Sequence, residues 1–250
     1  MKSEYRTLFD ARGAHYNFAN RRYPDARAEE AQAILADLDL RRESRWLDVG
    51  AGGGFLAERA AAEGIGGPVH GCDESIAFLS GASAYALRAI CAFGRLPYPD
   101  GTFAGAASLA ALHHAEEPET VLAEMLRVTA PGGRIAIGDV AAQSRAARFL
   151  NGFLDRCTAN GHAGRFYSED AWVQMLRRAG GCAPRAQTLE LSWHFRRRED
   201  AADFCRELFG LLPGTPTPEL QSALDDLGLM KAPDGWRLRW DMVFASAGRV

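Results

Sequence analysis

Residues 46–58 read WLDVGAGGGFLAE. An apolar run reaches Asp48, then Gly50, Gly52, Gly53 and Gly54 crowd together, and an alanine-rich helical pattern begins at Phe55. Strand, glycine turn and helix in that order make a ligand cradle. Glycine admits tight φ angles and close approach to the backbone, and the free N–H groups of the helix start favour a negative group. Gly52-x-Gly54-x-x-Ala57 satisfies the dinucleotide pattern G-x-G-x-x-A, and Asp73 follows about 20 residues on, where an acid would hold a ribose. That much points to a nicotinamide oxidoreductase. However, the pattern begins earlier, as Asp48-x-Gly50-x-Gly52-x-Gly54. A pyrophosphate gains nothing from a carboxylate there, whereas a ligand carrying an ammonium group does.

Outward from the loop, strand-like runs and helical patterns alternate. RWLDV, PVHGCD, AICAF, TFAGAASLA and RIAIGDV read as strands. FLAERAAAEG reads as a helix ending at Gly64, and ESIAFLSGASAYAL as one weakened by Gly81. PETVLAEMLRVT is a helix with Leu122, Met125 and Leu126 on one face, stopped by Pro131-Gly132-Gly133. Upstream, Ala31, Ile34, Leu35 and Leu38 share a helical face, while residues 1–25 are mixed in character. Downstream, residues 144–161 look helical, GHAGRFY reads as a hinge, and a helix capped by Ser168 buries Trp172, Met175, Leu176 and Ala179. Strands follow at 185–193 and 236–246, separated by a helical insert broken at Pro213, Pro216 and Pro218. Such alternation predicts an α/β fold, doubly wound around a mostly parallel sheet covered on both faces. One domain over 1–250 is expected: a cap at 1–40, a cofactor-binding core at 41–140, and acceptor-side helices with the last two strands at 141–250.

Composition narrows the class. Of 250 residues, 47% are hydrophobic and 24% charged, and the net charge is −3, so the basic excess of a nucleic-acid binder is absent. The start MKSEYRTLFDARG has no apolar core, and no apolar run reaches the ~18 residues of a membrane span, so neither a leader nor a membrane partner is expected. Cys72, Cys91, Cys157, Cys182 and Cys205 are scattered. Scattered thiols fit a reducing cytoplasm, and with no ligand cluster along the chain no metal is expected.

Three later segments bear on the loop. Residues 72–75 read CDES, residues 96–104 read LPYPDGTFA followed by LHH at 112–114, and residues 127–133 read RVTAPGG. With DVGAGGG, they resemble, in order and spacing, the class I S-adenosylmethionine-dependent methyltransferases of the small-molecule type 11 group. The resemblance covers about residues 40–140. It implies a Rossmann-like seven-stranded sheet whose last strand is antiparallel, with S-adenosylmethionine as donor and S-adenosylhomocysteine as product. It also implies roles. Gly50, Ala51 and Gly52 pass under the methionine part, with Asp48 positioning loop and amino group. Asp73, beside Glu74, accepts the ribose hydroxyls, and Leu109 sits beside the sulfonium.

Two positions depart from the family pattern. Members commonly carry an acid four residues before the Leu-Pro pair, which accepts from the adenine amino group. Here that position is Ala92, which leaves the backbone and ring of Phe93 to serve the base. A lost charged hydrogen bond is worth ~1.5–3 kcal/mol, so weaker binding is expected. Ala104 stands where Phe-Asp is usual. Both motivate an alternative, a cofactor-binding protein with lost or non-methylating activity.

Methyl transfer needs an oriented acceptor and, if the acceptor is protonated, a base. His113 and His114, just after the fourth strand, and His162 in NGHAGRFY are the candidates; a structural role for LHH is the competing reading. Tyr16, Phe18 and Tyr23, with Phe166 and Tyr167, are candidates for a lid or acceptor wall, or equally for core staples. A small organic acceptor is expected, with no nucleic acid, and a homodimer is compatible with the sequence.

Overall fold

A computed structural model describes residues 4–82, 84–162 and 164–250, with the backbone alone for 4–11. Two helices lead in, α1 (Glu4–Arg22) and α2 (Ala28–Leu38). The core then runs β1 (Trp46–Val49), α3 (Phe55–Glu63), β2 (Val69–Asp73), α4 (Ile76–Leu79), β3 (Leu87–Ile90), β4 (Phe103–Leu109), α5 (Pro118–Val128) and β5 (Thr129–Val140). Next, α6 (Arg145–Arg148), a π-helical stretch (Phe149–Leu154) and α7 (Asp155–Cys157) are continuous. The chain finishes with α8 (Glu169–Arg178), β6 (Cys182–Phe195), α9 (Arg198–Phe209), α10 (Thr217–Leu227), β7 (Leu229–Ala232) and β8 (Gly235–Gly248).

The sheet order is β3-β2-β1-β4-β5-β8-β6, with β7 paired to β8. β1 to β5 pair in parallel, and β8 runs antiparallel to β5, β6 and β7. The antiparallel last strand thus matches expectation, while the strand count rises to eight. The addition is β7, a short ribbon turned through Ala232↔Gly235 onto β8. Alternate side chains feed two cores, as strand geometry requires. Trp46 and Phe244 join Ile34, Leu35 and Leu56 on one face. Leu47, Val49 and Val243 join Leu122, Met125, Trp172 and Leu176 on the other.

Local chemistry explains the helix boundaries. Pro118 opens α5, and the buried stripe Val121, Leu122, Met125, Leu126 faces the sheet. Ser168 accepts from the N–H of Ala171 at the start of α8. Gly64 and Gly210 end α3 and α9 in the left-handed conformation. Two expectations shift. The helix expected over 74–87 is only four residues long, because Asn17 of α1 takes the space beside Gly81 and donates to the Phe78 carbonyl at 3.2 Å. The third strand consequently starts at Leu87 and stops at Ile90, an exposed edge short of Phe93.

Candidate cofactor and acceptor site

The glycine loop is tied to the neighbouring strand. Gly50 N–H and Ala51 N–H both donate to Cys72 O, at 2.9 and 3.0 Å. Gly50 has φ +75°, and a Cβ there would run into the Cβ of Ala111, so only glycine fits. Asp73 closes β2 with each carboxylate oxygen holding one backbone donor: Gly52 N–H on Oδ2 at 3.0 Å and Ser75 N–H on Oδ1 at 2.9 Å. Each oxygen keeps further acceptor capacity, which fits a ribose diol. Burial raises Asp73 to about 6, against the pull of the Ser75 and Gly52 N–H groups. Asp48 lies beneath the loop, joined to it by Tyr85, whose hydroxyl is 2.7 Å from Asp48 Oδ2 and 2.9 Å from Ala51 O. Burial raises Asp48 to about 7.

Helix α1 lies on this loop. A Cβ on Gly52 would meet Tyr16 Cε1 at 3.5 Å and Phe78 Cδ1 at 3.7 Å, and one on Gly53 would collide with the Asn17 amide. Tyr16 and Phe78 meet edge to face at 4.9 Å. Arg27 holds Tyr16 from below, donating to its hydroxyl at 2.8 Å. In this arrangement Asp73 has no exposed surface.

The carboxyl ends of β4 and β5 build the neighbouring compartment. Leu109 pairs with Gly138, and Ala110 then turns with φ +53°, its N–H on Gly138 O at 2.7 Å. A non-glycine residue there is strained, a feature that concentrates at functional sites. The turn leads into a short 3-10 helix, Leu112–His114. Buried Asp139 accepts from the backbone N–H of His113 at 3.0 Å and from its Nδ1 at 2.7 Å. His162 arrives from the segment after α7, its Nδ1 3.1 Å from Asn151 Oδ1. Asn151 Nδ2 donates to Gly164 O and its Oδ1 accepts from Gly164 N–H, which fixes the amide orientation. Arg165 N–H bonds His113 O at 2.9 Å, so the expected hinge is clamped to LHH.

The three imidazoles cluster. Ring centroids lie 4.0 Å apart for His113–His114, 5.5 Å for His113–His162 and 5.1 Å for His114–His162. Phe166 walls them at 5.2 Å from His113. Burial drives His162 down to about 3, aided by His113 and Arg12, and burial likewise holds His114 well below its ordinary value. Both are neutral at ordinary pH. Arg12, from α1, is itself pushed down to about 10 by burial.

The structure therefore brings together His113, His114, His162 and Phe166 on one side, and Asp48, Gly50, Ala51, Gly52, Asp73 and Tyr16 on the other. Glu74, half-buried, follows Asp73. Phe93 is buried with its ring toward Gly50, whereas Ala92 is exposed. Three lid candidates lie elsewhere. Tyr23 packs on Phe195 and Phe204, Tyr167 packs on Trp172, and Phe18 is 48% exposed. Ala104 sits at the amino end of β4, bonded to Arg45 O, away from the loop. Sequence reasoning missed Arg12, Asn17, Tyr85, Ala110, Asp139 and Asn151. Of these only Asp139, an acid closing an apolar strand, carried a local signal.

Comparison with known proteins agrees with this geometry. Residues 47–137 match the family model described as a methyltransferase domain. A demethylmenaquinone methyltransferase of Paenarthrobacter aurescens is 30% identical over 140 residues, covering 54% of this chain and 54% of that protein. The 27-O-demethylrifamycin SV methyltransferase of Amycolatopsis mediterranei is 35% identical over 129 residues, covering 46% and 47%. The chain thus spans about half the length of the curated relatives it matches. A SAM-dependent methyltransferase structure from Thermotoga maritima superposes with a TM-score of 0.67 at 17% identity, covering 98% of this chain and 99% of that one. Motif order, sheet topology and the family match converge on residues 47–137, which carry the methyltransferase-domain match within a sheet of the same fold as the superposed methyltransferase structure.

Proposed function

We propose that this protein binds S-adenosylmethionine on the glycine loop and methylates a small organic acceptor held beside His113, His114 and His162. One observation carries the reading: the carboxyl edge of β1, β2, β4 and β5 aligns the loop, Asp73, Leu109 and the imidazole cluster. Ligands of open α/β sheets bind at this edge, where the strand order reverses.

When bound, the cofactor supplies a methyl group already activated on a sulfonium. The chain's own residues do the rest. Gly50, Ala51 and Gly52 offer a close-approach backbone surface for the amino-acid part, and Asp73 accepts the ribose hydroxyls. Phe93 packs against the base, while exposed Ala92 leaves the adenine amino group without a side-chain acceptor. Asp139 fixes His113 with its Nδ1 proton inward, so Nε2 is the nitrogen turned toward the acceptor compartment. Tyr16 and Asn17 exclude water from the loop when α1 is down. Five cysteines without a disulfide suit a cytoplasmic setting.

Calorimetry with S-adenosylhomocysteine tests the reading. Micromolar binding is expected, and Asp73→Ala should weaken it by more than about tenfold. Absence of heat from folded protein at millimolar ligand would overturn it.

A further inference from the structure

His113, His114 and His162 come from two segments about 50 residues apart, yet one ring nitrogen of each lies within 4.8 Å of the others. Two of the rings are held by partners that set their tautomer. An ionised carboxylate only accepts, so His113 Nδ1 donates to Asp139 Oδ1, leaving a lone pair on Nε2. The Asn151 amide is oriented by its two bonds to Gly164, so its Oδ1 accepts from His162 Nδ1 and again leaves Nε2 as the lone pair. A carboxylate or amide oxygen behind the imidazole is the outer arrangement of metal-binding histidines, which orients the ring and raises its basicity.

We propose that Nε2 of His113 and His162, with a ring nitrogen of His114, bind a divalent transition-metal ion of the zinc type, its fourth position open to an oxygen or nitrogen of the acceptor. The ligand set selects the class. Three imidazoles without thiolate or carboxylate suit zinc, cobalt, nickel or ferrous iron over magnesium or calcium. Tetrahedral zinc with nitrogen at 2.0–2.1 Å needs nitrogens about 3.4 Å apart, so side-chain rotations on the order of 1 Å close the cluster. Arg12 opposes a cation here, being near enough to act on His114 and His162. Asp139 behind His113 and Asp155, which accepts the His162 N–H at 2.8 Å, supply the balancing negative charge. Arg12 in turn favours an anionic fourth ligand, such as an ionised phenol or enol. The acceptor as fourth ligand and its anionic class rest on the methyl-transfer reading; the three-histidine site does not.

The test is a titration of metal-stripped, tag-free protein with zinc alone by calorimetry, and with cobalt by visible absorption. One zinc per chain and the intense d–d bands of a tetrahedral cobalt site are expected. His162→Gln should lower zinc affinity at least about 100-fold, and Asn151→Leu, which removes the outer contact together with the two Gly164 bonds, about 10- to 100-fold. The double variant His15→Gln/His194→Gln removes histidines paired with surface glutamates and should leave zinc binding unchanged. Thermal unfolding shows that each variant is folded, and His114→Gln replaces any that is not. Zinc binding weaker than about 10 μM, or His162→Gln and His114→Gln both within about threefold of wild type, overturns the proposal. The same samples are titrated with S-adenosylhomocysteine. Zinc without that ligand leaves the metal site standing and removes the methyl-transfer reading. That ligand without zinc removes the metal site alone.

Discussion

Tyr85 offers one hydroxyl proton to two acceptors, Asp48 at 2.7 Å and the Ala51 carbonyl at 2.9 Å. The conflict resolves if Asp48 is protonated and donates to the Tyr85 oxygen, freeing the Tyr85 proton for Ala51. Burial, which raises Asp48 to about 7, favours that form. Between about 4 and about 7 the folded state then keeps a proton that the unfolded chain has released. Stability from this group is full below its unfolded value, falls by about 1.4 kcal/mol per pH unit across the window, and levels off above it. Asp48→Asn removes the ionisation and keeps a donor for Tyr85. It should be about 2–4 kcal/mol more stable than wild type at pH 8 and nearly equal to it near pH 4, measured by urea unfolding. A destabilised variant at pH 8 would contradict the protonated form. Ala92 invites the converse experiment. Exposed beside buried Phe93, it can accept a carboxylate without desolvation, so Ala92→Asp should tighten S-adenosylhomocysteine binding about tenfold or more by calorimetry. Asp48, Asp73 and Ala92 were legible because their meaning lies in short motifs. Asn151 was not, since it acquires its role from a partner 11 residues away.

Helix α1 shows the limit of periodicity. Its contact face is made of small and polar residues: Gly13 lies against the Ala77–Phe78 backbone, and Asn17 against Gly53 and Gly81. No apolar stripe marks it, so the first 25 residues read only as mixed. By contrast α2, α5 and α8 announced themselves through apolar faces that the cores then buried, and α8 also through its Ser168 cap. The joint between α1 and α2 is ionic. Arg27 is 4% and Glu30 1% exposed, bonded at 2.6 Å, with Arg27 also on Tyr16 and Glu30 also accepting from Trp193 Nε1. Removing one partner of such a pair leaves an uncompensated buried charge, at a cost of about 3–5 kcal/mol. Arg27→Met should therefore lose about that much in denaturant unfolding. Adding Glu30→Gln, which keeps an acceptor for Trp193, should restore a large part of it. An additive double variant would show that the two groups do not act as a pair.

At the scale of the molecule, the sheet's strand order places the glycine loop, Asp73, Leu109 and the LHH turn on one edge. β1 has β2 on one side and β4 on the other, so the loop after β1 opens over the point where the order reverses. The alternation of strand and helix made the parallel half legible. β7 was not, because its four residues, Leu229–Ala232, are too few for a strand period to emerge. The same architecture couples the loop to global stability. A ligand seated between β1, β2 and α1 binds only the folded chain, so at a hundred times its dissociation constant it adds about 2.7 kcal/mol. For a domain of this size each kcal/mol raises Tm by about 2–4 °C, so S-adenosylhomocysteine should raise Tm by about 5–10 °C. Tyr16 and Asn17 of α1 rest on Gly52 and Gly53, so the expected outcome is that ligand entry is coupled to motion of α1. Exposed Arg21 and Arg22, in the last turn of α1, give trypsin a reporter of that motion. Cleavage there should slow as Tm rises, and Asp73→Ala should reduce both effects together. A shift produced by NADH and none by S-adenosylhomocysteine would return the loop to the dinucleotide class that its G-x-G-x-x-A pattern also matches.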